Sequence, residues 1–191
     1  MKLSNLIIGF LIVAFALVGC HKKKSKTMQS TSQTTMSQAG SAQEVTADSS
    51  DFQAVLTGQN EVPDSVQTNA SGDAYFKVNS DSTELHYTID LSNADSVTMA
   101  HIHYGTSSEN GPIAVWLFPG PKQQSPSLDA GPVNGVLKSG IIDSTDLVGP
   151  LKGKSIGDLI QAINSDSAYV QVHTKAHPEG EIRGQVGSGN Q

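Results

Sequence analysis

An antiparallel, all-β sandwich or barrel of Greek-key type, with one short helix in a loop, is the fold class that the sequence predicts. Three observations predict it: apolar residues alternate with period two, turn-forming clusters recur every 8–12 residues or so, and only one segment shows helical spacing. The alternation begins with Phe52, Ala54 and Leu56, set against Gln53, Val55 and Thr57. It resumes in Ala74, Phe76 and Val78. It is clearest over 84–91, where Leu85, Tyr87, Ile89 and Leu91 share a core face and Glu84, His86, Thr88 and Asp90 a wet one. Further strands are expected at 97–104, 113–118, 135–142, 168–174 and 180–186. Asn69–Gly72, Asn79–Thr83, Ser107–Pro112 and His177–Gly180 supply the turn chemistry between them. The helical exception is Ser155–Ile163, where Ile156, Leu159, Ile160 and Ile163 lie on one face. Ser155 and Asp158 stand at capping-box spacing.

The 191 residues suit one domain of about 140 residues with tails. A single cysteine excludes an intrachain disulfide framework and any cysteine-based zinc finger. A net charge of −6 argues against a nucleic-acid partner. The charge is unevenly placed: five of twelve basic residues fall in the first 26, while residues from Asp51 onward hold 7 basic against 16 acidic side chains, hence −9.

The front reads as an address and a spacer. Lys2 precedes an apolar run from Leu6 to Val18, the pattern of a secretory signal peptide rather than of a span, which needs about 20 apolar residues. Leu17-Val18-Gly19-Cys20 resembles the lipobox of bacterial lipoproteins, which implies lipidation of Cys20 and anchoring to a membrane, facing the periplasm or the exterior. Residues 21–50, basic at first and then rich in Ser, Thr and Gln, read as a disordered tether. The expected layout is therefore 1–20 signal peptide, 21–50 tether, 51–187 domain and 188–191 tail.

Chemistry-bearing residues are few, and no nucleophile, phosphate-loop or dinucleotide motif occurs, so no catalytic residue is assigned. The histidines stand out. His101 and His103 are two apart on an expected strand, so both side chains leave the same face about 6.5–7 Å apart and can close on one ion. Because Ala100, Ile102, Val170, Val172 and Ile182 should point to the core, His101, His103, His173 and Arg183 should point outward. His177, in the following loop, is a candidate fourth group, and Arg183 a neighbour of the open position. Imidazole suits copper and zinc, among other metals. Binding through neutral rings should weaken as pH falls through about 6.5. His86 reads as a surface residue, and the acidic loops at 143–146 and 158 are weaker candidates for calcium.

The body also resembles a known family. Residues Phe52 to Pro63, Ala70-Ser71-Gly72-Asp73-Ala74, Ala100 to Gly105, Asn110-Gly111-Pro112-Ile113, Tyr169 to Thr174 and His177 to Gln185 match, in order, the blocks of the CHRD domain, found in chordin and in many microbial secreted proteins. That resemblance implies an extracytoplasmic all-β module without a defined activity. A second resemblance, to Cu/Zn superoxide dismutase, rests on His101-Ile102-His103, Val172-His173 and Arg183. It implies a copper site on the outside of a barrel that is superoxide dismutase-like, an immunoglobulin-like sandwich being the other form of the fold. The zinc subsite and the disulfide of that enzyme have no counterpart here.

Three functions are thus open: a lipid-anchored module binding copper or zinc, an adhesive surface domain for protein or glycan without metal, and a copper redox enzyme of superoxide dismutase type. Convergence of His101, His103 and His173 separates the first from the second.

Overall fold

The computed structural model describes residues 42–124 and 130–189. The readings made on the signal peptide, on Cys20 and on tether residues 21–41 lie outside them. The strands are β1 (Phe52–Thr57), β2 (Ser71–Val78), β3 (Glu84–Ala94), β4 (Val97–Tyr104), β5 (Ile113–Phe118), β6 (Val133–Asp143), β7 (Ala168–Thr174), β8 (Ile182–Gln185) and β9 (Gly187–Ser188), with helix α1 (Ile156–Asn164) before β7. All-β with one short helix is therefore the observed class, as expected.

One sheet runs β5-β4-β7-β8-β1-β2-β3-β6, and β9 pairs with β1. Every pairing is antiparallel. The end strands β5 and β6 approach each other without a ladder, so the sheet is curled into a nearly closed barrel. Curling encloses the side chains that period two sends inward. Leu56, Phe76, Leu85, Tyr87, Ile89, Leu91, Ile102, Leu117, Val170 and Val172 have no exposure at all. Each such aliphatic or aromatic side chain contributes roughly 1.5–3 kcal/mol by leaving water.

Helix α1 forms for the reasons legible in its sequence. Asp158 N donates to Ser155 Oγ at 3.2 Å, and Ser155 N donates back to Asp158 Oδ2 at 2.8 Å. Ile156, Leu159 and Ile163 bury their side chains in the common core. Asp158 is thus a cap, and the acids of 143–146 are likewise engaged. Lys122 Nζ meets Asp146 Oδ1 at 2.5 Å and Asp143 Oδ2 at 3.4 Å, while Asp143 N donates to Asp146 Oδ2 at 3.0 Å. A structural pairing occupies the positions considered for calcium.

Packed structure extends beyond both expected domain edges. Residues 42–50, read as the end of the tether, include a short 3-10 turn at Ala47–Ser49 and bury Val45 to 5% exposure. Val45 N donates to Thr88 Oγ1 at 2.8 Å, which is why Thr88, expected on a wet face, is 1% exposed. At the other end, Ser188 of the expected tail pairs with Phe52, and Gly189 N donates to Asp51 O at 2.9 Å.

Candidate metal centre

The site forms on the polar face of three neighbouring strands. In the β4–β7 ladder, Met99 pairs with His173, His101 with Gln171 and His103 with Tyr169. Gln171 pairs in turn with Arg183 of β8. Ala100, Ile102, Val170, Val172 and Ile182 all lie in the core, so the strand parity read from the sequence is correct. His101, His103 and His173 leave the opposite face, His173 lying diagonally across the ladder from His101. Irregular register in the β4–β5 pairing falls at Ala100/His101 and again at Ile102/His103. Such irregularities increase local twist and re-aim side chains.

The three rings converge. Their centroids are 5.5, 5.1 and 6.2 Å apart for the pairs His101–His103, His101–His173 and His103–His173. One ring nitrogen from each lies within 4.8 Å of the other two. The hydrogen bonds assign the nitrogens. His103 Nδ1 donates to Gly111 O at 2.8 Å and His173 Nδ1 to Pro178 O at 3.0 Å, so both present a lone pair at Nε2. His101 Nδ1 lies 3.3 Å from His173 Nε2. Two nitrogens about 2.0–2.1 Å from one ion at a tetrahedral angle are also roughly 3.3 Å apart. His101 Nδ1 donates to His173 Nε2 in the metal-free arrangement, and His101 Nδ1, His103 Nε2 and His173 Nε2 become a fitting ligand set once an ion replaces that hydrogen and the His101 proton moves to Nε2. Carbonyl acceptors that fix the tautomer of two rings are the usual support of histidine ligands.

The face is not the exposed one that parity alone suggested. His101, His103 and His173 are 1%, 8% and 7% exposed, and Arg183 is 1% exposed. Loops close over them. The turn after β1 is held by Val66 N donating to Gly58 O at 2.8 Å and by Asn60 Nδ2 donating to Arg183 O at 3.1 Å. Loop 105–112 is held by Tyr104 N on Pro112 O at 2.9 Å and by Gly111 N on the Tyr169 hydroxyl at 3.0 Å. Gly111 must lack a side chain, because a Cβ there would collide with the Tyr104 carbonyl. Burial pushes the imidazoles down, His101 to about 3 and His103 to about 4, with His173 also lowered. All three are therefore neutral near pH 7, the form that ligates metal.

Two candidate residues take other places. His177 is not in the converging group among the described residues. Its loop serves the centre through the carbonyl of Pro178, while His177 N donates to Thr174 Oγ1 at 3.1 Å. Arg183 is engaged with Tyr169 and loop 105–112, and its charge still acts on His103 and Glu61. Its Cζ lies 3.5 Å from the Tyr169 ring centroid, and its guanidinium donates to Thr106 O at 2.7 Å, Glu109 O at 2.8 Å and Asn110 Oδ1 at 3.0 Å. The Tyr169 ring itself stacks on His103 at 4.9 Å and 8°. His86 stays apart, 3.4 Å from Glu84 Oε2.

Four further residues shape the site: Glu61, Trp116, Tyr169 and Gln171. Tyr169 and Gln171 share strand parity with His173, a signal already in the sequence. Trp116 pairs with His101 across the β4–β5 ladder and packs T-shaped on it at 4.3 Å. Nothing local marks Glu61. Its Oε2 accepts from Gln171 Nε2 at 2.6 Å, and burial pushes its carboxyl up against the opposing effects of that hydrogen bond and the Arg183 charge. A cleft of about 420 Å³ opens between the loops onto His103 and His173. Its charged residues are Glu61, Asp64 and Glu179.

The profile of the CHRD domain matches residues 52–186. The chain belongs to the CHRD domain family. Glu61, His101, His103, Tyr169, Gln171, His173 and Arg183 all fall within the matched span of this CHRD domain. No curated protein and no solved structure matches the chain.

Proposed function

We propose that this CHRD-domain protein is lipid-anchored at a bacterial envelope and binds one copper or zinc ion through His101, His103 and His173. The supporting observation is the convergence of three buried imidazole nitrogens, two of them on rings whose carbonyl-fixed tautomers suit a single ion. Anchoring is supported by Leu17-Val18-Gly19-Cys20 after the apolar run. The three-histidine set, with a cleft on one side, leaves a coordination position for an exchangeable ligand. The cleft is lined by three carboxylates and no lysine or arginine, so it attracts cations. That charge, and the engagement of Arg183 with three acceptors of loop 105–112, favour metal uptake over chemistry on an anion such as superoxide.

The test is titration of the metal-stripped protein with copper(II) and zinc(II). Trp116 is the only tryptophan, and it touches His101. One equivalent of copper(II) should therefore quench its fluorescence, with matching stoichiometry by calorimetry. Absence of saturable binding of either ion would leave the adhesive or structural module, with the histidines serving only in hydrogen bonds.

A further inference from the structure

We infer that Glu61 sets the ligand selectivity of the centre, reserving the open position of the bound ion for a neutral protic ligand, water first, and disfavouring anions. The inference rests on the three-histidine reading. Glu61 is 6% exposed, and its Oε1 is a buried oxygen without a hydrogen-bond partner among the described residues. His103 Nε2 is a second such atom, and both residues line the same cleft. Two unpartnered acceptors beside one cleft are costly in an apolar setting unless a hydrogen-bond donor or a cation stands between them.

The carboxylate is held in place deliberately. Gln171 Nε2 donates both to Glu61 Oε2 at 2.6 Å and to Glu179 O at 3.2 Å. Gln171 lies between His101 and Arg183 in the sheet, so it ties Glu61 to the ligand strands. Gly180, at φ +136, lets the chain pass closely, since a Cβ there would strike the Gln171 amide and come within 2.9 Å of Glu61 Oε1. Glu61 is not part of the group of mutually close ligand atoms, so it acts on the ion's free ligand rather than as a ligand itself. A carboxylate oxygen accepts a hydrogen bond from a protic ligand. It repels an anion, and the low polarity around it weakens screening.

The experiment uses the purified full chain loaded with one equivalent of copper(II), titrated with azide and followed by the azide-to-copper charge-transfer absorption. Glu61→Gln preserves the shape and the hydrogen bond with Gln171. It should bind copper within about tenfold of the unsubstituted chain and bind azide about tenfold more tightly, the expected effect of removing one nearby charge. Asp64→Asn, at an exposed residue of the same cleft, should change azide affinity less than about twofold, because solvent screens it. Unchanged azide affinity in Glu61→Gln overturns the inference and leaves the histidine site standing. Copper affinity lowered by about a hundredfold or more in Glu61→Gln also overturns it, making Glu61 a ligand. Absence of copper binding in the unsubstituted chain removes the histidine reading and this inference with it.

Discussion

Arg183 lies over the Tyr169 ring, its Cζ 3.5 Å from the centroid, and this contact decides what the arginine can do. With three of its five N–H donors on Thr106 O, Glu109 O and Asn110 Oδ1, Arg183 holds loop 105–112 over the histidines. That loop carries Gly111, whose carbonyl fixes the tautomer of His103. The cation therefore acts on the position of the loop.

Arg183→Lys should lower stability by about 2–3 kcal/mol, because an ammonium cannot reproduce a planar fork serving three acceptors. For a domain of this size that is a fall of roughly 6–10 °C in the thermal midpoint. Scanning calorimetry checks it. Copper affinity should fall as well, since His103 loses its fixed acceptor.

Substitution of His101, His103 or His173 by alanine should each weaken copper or zinc binding at least about a hundredfold, measured by calorimetry. His86→Ala and His177→Ala should leave affinity within about twofold. An effect of His177→Ala equal to that of His173→Ala would mean that the loop ligates after all.

Stability of the metal-free protein should fall as pH drops below about 6.5. The sign follows from the depressed values: His101 at about 3 and His103 at about 4 stay neutral in the fold while the unfolded chain takes up protons. Each ring contributes a slope of roughly 1.4 kcal/mol per pH unit until its folded value is reached. Urea midpoints at pH 7.5 and pH 5 measure the loss, and His101→Gln should reduce it. Metal affinity of the folded domain should begin to weaken at a lower pH than the window near about 6.5 expected for exposed histidines, because all three rings are shifted down by burial.

Deleting residues 21–41 should leave the thermal midpoint unchanged, whereas a deletion running on through Ser50 should lower stability by about 2–3 kcal/mol. The second cut removes buried Val45, worth about 1.5 kcal/mol, and its hydrogen bond to Thr88, worth about 1 kcal/mol. Equal midpoints for the two deletions would show that residues 42–50 add nothing.

Cys20→Ser should release the protein from membranes or block its processing, read by fractionation and by the mass of the mature chain. A variant that is cleaved normally and stays membrane-bound would contradict lipid anchoring.

Period-two alternation is a property of the extended backbone, so local sequence was enough to place His101, His103 and His173 on one face and Ala100, Ile102, Val170 and Val172 on the other. The capping box of α1 was legible for the same reason, since its partners are three residues apart. What covers that polar face was not legible. Glu61 reaches Gln171, Asn60 reaches Arg183, and Asn110 Nδ2 donates to Val62 O at 2.9 Å, all across large separations in the chain. Alternation states which way a side chain leaves a strand and is silent on which loop folds over it. Strand parity therefore picked out the candidate ligand set, and only the tertiary structure decided that the set is buried, neutral and shares its cleft with Glu61, because burial is a sum over contacts between residues distant in sequence.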